Sequence, residues 1–150
     1  MTEAEPEAQL AQFVEKFSPA NQTLIGGVRD ALKTRLPGAH ELVYDNYNFF
    51  VIGYCTTEKP SDCIVSLAAS AKGVSLSFYR GADLSDPDGV LQGTGSQNRF
   101  IRLDGPSTLS HPAVEDLIGK AIAGAPVPLD TGKQGRLIIR SISAKQRPRQ

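Results

Sequence analysis

Apolar positions recur at helical spacing up to about Phe17. Leu10, Phe13, Val14 and Phe17 fall on one face, and Glu3, Glu5, Glu7, Glu15 and Lys16 supply polar positions. This pattern predicts an amphipathic helix. Ser18 followed by Pro19 reads as a helix start, a hydroxyl able to cap and then proline at the first position. The second helix turns Leu24, Ile25, Val28, Leu32 and Leu36 inward. Gly26 and Gly27 weaken it by about 1 kcal/mol each relative to alanine and suggest a close approach of the first helix. Pro37-Gly38 stops it.

From Glu41 to Tyr54 tyrosine, phenylalanine, valine and isoleucine dominate, as strands prefer. Residues 56–62 form a turn-rich connector. Cys63 to Ala69 and Val74 to Tyr79 read as two more strands. In the second, Val74, Leu76 and Phe78 alternate with Ser75, Ser77 and Tyr79, the period of a half-buried strand. Lys72-Gly73 fits a tight turn between them. Arg99 to Leu103 is a fourth strand. Ser110-His111-Pro112 opens a third helix with Val114, Leu117, Ile118, Ala121 and Ile122 on its buried stripe, ended by Gly124. Arg136 to Ile142 predicts a fifth strand on an edge. The basic tail, Lys145 to Gln150, is expected to be disordered.

The order of elements predicts an α+β two-layer sandwich, an antiparallel sheet of about five strands packed by N-terminal and C-terminal helices. Connections between strands are too short for parallel crossovers. A single domain over residues 1–144 fits the length of 150 residues, with 145–150 as a tail.

Composition narrows the functional classes. Hydrophobic residues at 40% and charged residues at 21% describe a folded chain. The 16 basic and 16 acidic residues cancel, which argues against a nucleic-acid or membrane-surface role. No stretch approaches the ~20 apolar residues of a membrane span, and the acidic N-terminus lacks an apolar signal core, so a cytoplasmic protein is expected. Two cysteines without a secretion signal read as free thiols.

Several segments carry a family likeness. They are Pro37-Gly38-Ala39-His40-Glu41 before Tyr44, Ser75-Leu76-Ser77-Phe78, Gly81-Ala82-Asp83-Leu84-Ser85-Asp86-Pro87, Leu91-Gln92-Gly93-Thr94-Gly95 and Arg99-Phe100-Ile101-Arg102-Leu103. Over roughly Phe17 to Ala123 the chain resembles the bacterial domain of unknown function 1801 family. The resemblance implies a small α+β fold, similar to that of frataxin, with no assigned biochemical role. One branch of the family is linked to frataxin-like intracellular iron handling. This chain has Ser96 where a basic residue often follows the second glycine, and Phe100 where a histidine often follows the arginine. Both departures remove polar chemistry from the loop.

No nucleotide fingerprint, nucleophile elbow or metalloprotease motif is present, so no enzyme and no cofactor are expected. Gly93-Thr94-Gly95 with Arg99 offers backbone amides and a guanidinium to an anion. A turn leading into a strand, with Arg99 paired to Asp86 or Asp88, explains it better. The residues Tyr44 to Asn48 put a polar and aromatic cluster inside a strand, with Tyr44 and Asn46 on one face and Asp45 and Tyr47 on the other. With Tyr79, Arg80 and Arg102 they outline a shallow pocket or protein-contact surface. The expected function is therefore a non-catalytic binding module for a partner protein or a small-molecule ligand, with Tyr44, Asn46, Tyr79, Arg80, Arg99 and Arg102 as ligand-binding residues. The alternative is a frataxin-like iron-binding chaperone using the N-terminal glutamates, which also favour the helix dipole. Cys55 and Cys63 sit across a hairpin, close enough for a bond if they share a face. With His40 and His111 far off in sequence and both explained by turns, no metal site is expected.

Overall fold

The computed structural model describes residues 4–150. Helices α1 (Ala4–Glu15) and α2 (Pro19–Arg35) precede a run of five strands. These are β1 (His40–Asp45), β2 (Phe50–Cys55), β3 (Cys63–Ser70), β4 (Gly73–Phe78) and β5 (Arg99–Leu103). Helix α3 (Pro112–Ala123) and strand β6 (Leu137–Ile142) complete the fold. The expected α+β layering is present, with one sheet of order β5-β4-β3-β2-β1-β6.

The sheet has six strands because the Glu41 to Tyr54 segment is a hairpin. Asn46, Tyr47 and Asn48 interrupt the apolar run, and the Asn46 N–H donates to the Phe49 carbonyl at 3.0 Å to close the turn. Asn46 therefore lies in a turn and does not share a strand face with Tyr44. The second correction concerns direction. β1 to β5 pair antiparallel, but β6 runs parallel to β1 on the sheet edge. The chain between β5 and β6 contains all of α3, which is long enough for the return crossover that parallel pairing needs.

All three helices pack on one face. There the alternate residues Phe50, Ile52 and Tyr54 of β2 and Val74, Leu76 and Phe78 of β4 meet Phe13, Val28, Leu32 and Leu117. Phe13 and Phe17 approach the Phe50 ring at centroid distances of 6.2 and 6.0 Å, the first tilted and the second edge-to-face, the arrangement that aromatic quadrupoles prefer. The other sheet face carries a small apolar cluster of Leu42, Cys55 and Cys63, with Tyr44, Tyr79 and Ile138 against it and no helix residue in it.

The helix boundaries follow their local chemistry. Ser18 Oγ accepts the Asn21 N–H at 3.3 Å, and His111 Nδ1 accepts the Ala113 N–H at 3.3 Å. Gly27 does not serve contact with α1. A Cβ there would sit 2.6 Å from Pro106 Cγ, so the glycine admits the 3-10 turn Pro106–Ser110, while Gly26 faces open space.

The basic tail is held against the body and is not disordered. The Arg147 N–H donates to the Tyr47 carbonyl at 2.9 Å. Arg149 is buried, and its Nη2 donates to Asp45 Oδ1 at 2.9 Å. A basic composition predicts a solvated end only when no buried carboxylate is waiting for it.

Candidate functional site

The six residues expected to form one site lie at three places. Tyr44 stands on the helix-free face, packed against the Cys55 and Cys63 cluster together with Tyr79. Burial is the main cause that pushes the Tyr44 phenol above its ordinary range. Arg80 stacks on the Tyr79 ring at 4.9 Å and donates to the Ser61 carbonyl at 2.9 Å. Arg99 is the register partner of Phe78, near Arg80 in space, but is turned to its own loop. Its Nη1 donates to the carbonyls of Gly95 and Asn98, the latter at 2.9 Å. The expected pairing with Asp86 or Asp88 is absent. The Asp86 carboxylate instead accepts the Val90 and Leu91 N–H groups at 3.0 Å each. Asn46 and Arg102 lie at the opposite end of the sheet. Asn46 Oδ1 accepts from Ser141 Oγ at 2.7 Å, and Arg102 Nη2 donates to the Lys72 carbonyl at 2.8 Å.

Arg102 opens onto a groove at the turn end of the sheet. The β1–β2 turn, the β3–β4 turn and the tail meet there around a groove of about 520 Å³. Its walls include Asn48, Phe49, Lys72, Arg102, Arg147 and Gln150, with three cationic side chains and no acidic side chain. Phe49 is 49% exposed, and Tyr47 beside it is 48% exposed. Arg147 lies over the Tyr47 ring at 5.5 Å and donates from Nε to Asn48 Oδ1 at 2.9 Å. Lys16, Arg29, Arg35, Lys120, Lys133, Arg136 and Arg149 each have a carboxylate partner. Among the described residues the other nine cations have none, and three of them, Lys72, Arg102 and Arg147, meet at this groove. Compared with known proteins, the chain matches no family model, no curated protein and no solved structure. Sequence reasoning found Arg102 but missed Phe49, Lys72 and Arg147, which come from three separate turns and tails. The basic tail was the available signal.

Two buried charge networks anchor the scaffold. Glu41 is 5% exposed and accepts Arg29 Nε at 2.9 Å, Arg29 Nη2 at 2.8 Å and the Tyr54 hydroxyl at 2.8 Å. Arg29 also reaches Glu7 at 2.7 Å. Burial acts to lower the Arg29 pKa, but the Glu41 and Glu7 hydrogen bonds outweigh it and raise the pKa overall. Asp45 is fully buried between Lys16 at 2.5 Å and Arg149 at 2.9 Å. Burial pushes its carboxyl up, yet hydrogen bonds from Lys16, Gln146 and Arg149 hold it below its ordinary range.

The thiols are directly opposed in register and unbonded. Among the described residues, no group of three or more His, Cys, Asp or Glu side chains is arranged to hold a metal ion. Glu7, one of the carboxylates considered for iron, is engaged with Arg29, and Glu3 lies outside the described residues. His40 is half-buried, and its Nδ1 accepts the Arg136 N–H at 3.1 Å. No helix among the described residues is long and apolar enough to cross a membrane.

Proposed function

We propose that the protein is a cytoplasmic, non-catalytic binding domain related to the domain of unknown function 1801 family. In this reading the groove at the turn end of the sheet docks an acidic segment of a partner protein. The observation that carries the reading is charge without compensation. Lys72, Arg102 and Arg147 border an exposed phenylalanine, and the described lining carries no acidic side chain. A guanidinium has five donors, and Arg102 makes one hydrogen bond among the described residues, so it has capacity to grip a carboxylate in a bidentate way. Phe49 supplies apolar contact beside the three cations, and apolar contact with a polar surround is the usual division of labour at a protein interface. A peptide is favoured over nucleic acid because the whole chain is neutral and the cations form a patch, not a stripe.

The test uses a fluorescein-labelled oligoglutamate peptide, read by fluorescence anisotropy, beside oligolysine and a single-stranded oligonucleotide. Oligoglutamate is expected to bind, more weakly as salt rises. Arg102→Ala and Arg147→Ala should each cost about tenfold in affinity, equivalent to ~1.4 kcal/mol. Unchanged affinity in the double variant overturns the site. Tighter binding of the oligonucleotide than of oligoglutamate overturns the partner class.

A further inference from the structure

The end of the sheet away from the groove holds a thiol pair that the binding reading leaves unused. Cys55 on β2 and Cys63 on β3 are register partners beside an irregularity in the ladder. The next residues outward, Thr56 and Asp62, share a backbone hydrogen bond at 3.3 Å. That bond makes the cysteines a non-hydrogen-bonded antiparallel pair, in which Cα atoms are about 4.5 Å apart. A disulfide spans Cα separations of roughly 4.4–6.8 Å, so the backbone is already placed for one.

Space for the sulfurs is also present. Gly53 is buried in mid-strand, and a Cβ on it would lie 3.3 Å from Cys63 Sγ and 3.7 Å from Cys55 Sγ. The two sulfurs therefore share the volume that a side chain at position 53 would fill. Cys63 Sγ also lies 3.3 Å from Ser66 Oγ and 3.3 Å from the Val65 carbonyl.

Cys63 is the outer thiol of the pair. Its side chain lies on the helix-free face beside Tyr79, whose ring Arg80 covers at 4.9 Å. Arg80 has no carboxylate partner among the described residues and donates to the Ser61 carbonyl at 2.9 Å. Cys55 is more deeply buried than Cys63, at 1% against 7% exposure.

We propose that Cys55 and Cys63 form a stoichiometric thiol–disulfide exchange site that takes small anionic disulfides from the helix-free face of the sheet, beside Arg80. The Cys63 thiolate attacks one sulfur of the incoming disulfide, forms a mixed disulfide and releases one thiolate. Cys55 then loses its proton and attacks the Cys63 sulfur, releasing the second thiolate. Both released thiolates are protonated by the protons the two cysteines gave up. The net change oxidises two protein thiols to one disulfide and reduces one small disulfide to two thiols. The division of roles agrees with the local chemistry. The Cys55 thiol, opposed by burial but aided by the Ser66 hydroxyl, the Tyr54 backbone and Arg80, draws Cys63 below the ordinary thiol range. Cys63 and burial push Cys55 up.

The probe is oxidised glutathione, with neutral hydroxyethyl disulfide as comparator, and the readout is intact mass of the folded full chain. The wild type is expected to lose two hydrogen atoms without keeping an adduct. Cys55→Ser should retain one glutathionyl group on Cys63, and Cys63→Ser should stay unmodified. Arg80→Ala should slow the glutathione reaction about threefold or more while leaving the neutral disulfide unaffected. A wild type that keeps a stable glutathionyl adduct, or that reacts no faster than it unfolds in a parallel hydrogen-exchange measurement, overturns the proposal. That rate comparison uses only the wild type, so it decides the matter even if a serine variant misfolds.

Discussion

The guanidinium of Arg149 meets the carboxylate of Asp45 at 2.9 Å across 104 positions of sequence, and Asp45 has no solvent exposure. Lys16 completes the pair from the end of α1 at 2.5 Å. One buried carboxylate thus ties the first helix, the first strand and the tail together. Arg149 also lies over the Phe17 ring at 5.9 Å, while its Nε and Nη1 are buried without a partner among the described residues.

Removing one member of a buried pair exposes the other to an uncompensated desolvation cost of about 3–5 kcal/mol. Arg149→Ala is expected to fall near the lower end, because Lys16 still neutralises Asp45. Urea denaturation measures it. A loss below about 0.5 kcal/mol, the scatter of ordinary surface substitutions, shows the tail to be dispensable.

The same carboxylate sets an acid limit. Its folded pKa lies below the unfolded value of about 3.9. The unfolded chain therefore binds more protons in that window, and stability rises with pH. The contribution is complete above the unfolded pKa and is lost as pH falls through the folded one. Glu7, lowered chiefly by its hydrogen bond from Arg29, acts in the same direction. The urea midpoint should fall as pH drops below about 5, toward the depressed folded pKa, and fall less steeply in Asp45→Asn. Parallel pH profiles for the two proteins would refute the assignment to Asp45.

Arg29 holds Glu41 inside the core edge, and Tyr54 is the second donor to it. Arg29→Ala leaves a carboxylate that is 5% exposed without its counter-charge, at an expected cost of about 3–5 kcal/mol. Tyr54→Phe removes one hydrogen bond to a charged group and should cost about 1.5–3 kcal/mol. Calorimetric unfolding of both variants checks the order. A larger loss in Tyr54→Phe would mean that the hydroxyl, not the ion pair, dominates.

Adjacent glycines in α2 should respond with opposite signs. A methyl group on Gly26 would meet no atom within 4 Å, so Gly26→Ala should stabilise by about 1 kcal/mol through helix propensity. Gly27 lies against the rigid Pro106 ring, with 2.6 Å available to a Cβ, so Gly27→Ala should destabilise by about 1–3 kcal/mol through overpacking. Thermal melts of the two proteins moving in the same direction would disprove the packing described for α2.

The element types were legible along the chain because their causes are local. Ser18-Pro19, His111-Pro112 and Gly124 bound helices through groups within a few residues, and the alternation of Val74, Leu76 and Phe78 specifies which strand face is buried. Likewise Cys55 and Cys63 were expected across a hairpin, and their register is that of a hairpin. The direction of β6, the burial of Arg149 and the grouping of Phe49, Lys72, Arg102 and Arg147 were decided only in three dimensions. Each depends on which distant segments the crossover through α3 and the buried Asp45 bring together. Local periodicity reports the face a residue presents, but charge pairing over a hundred positions leaves no period to read.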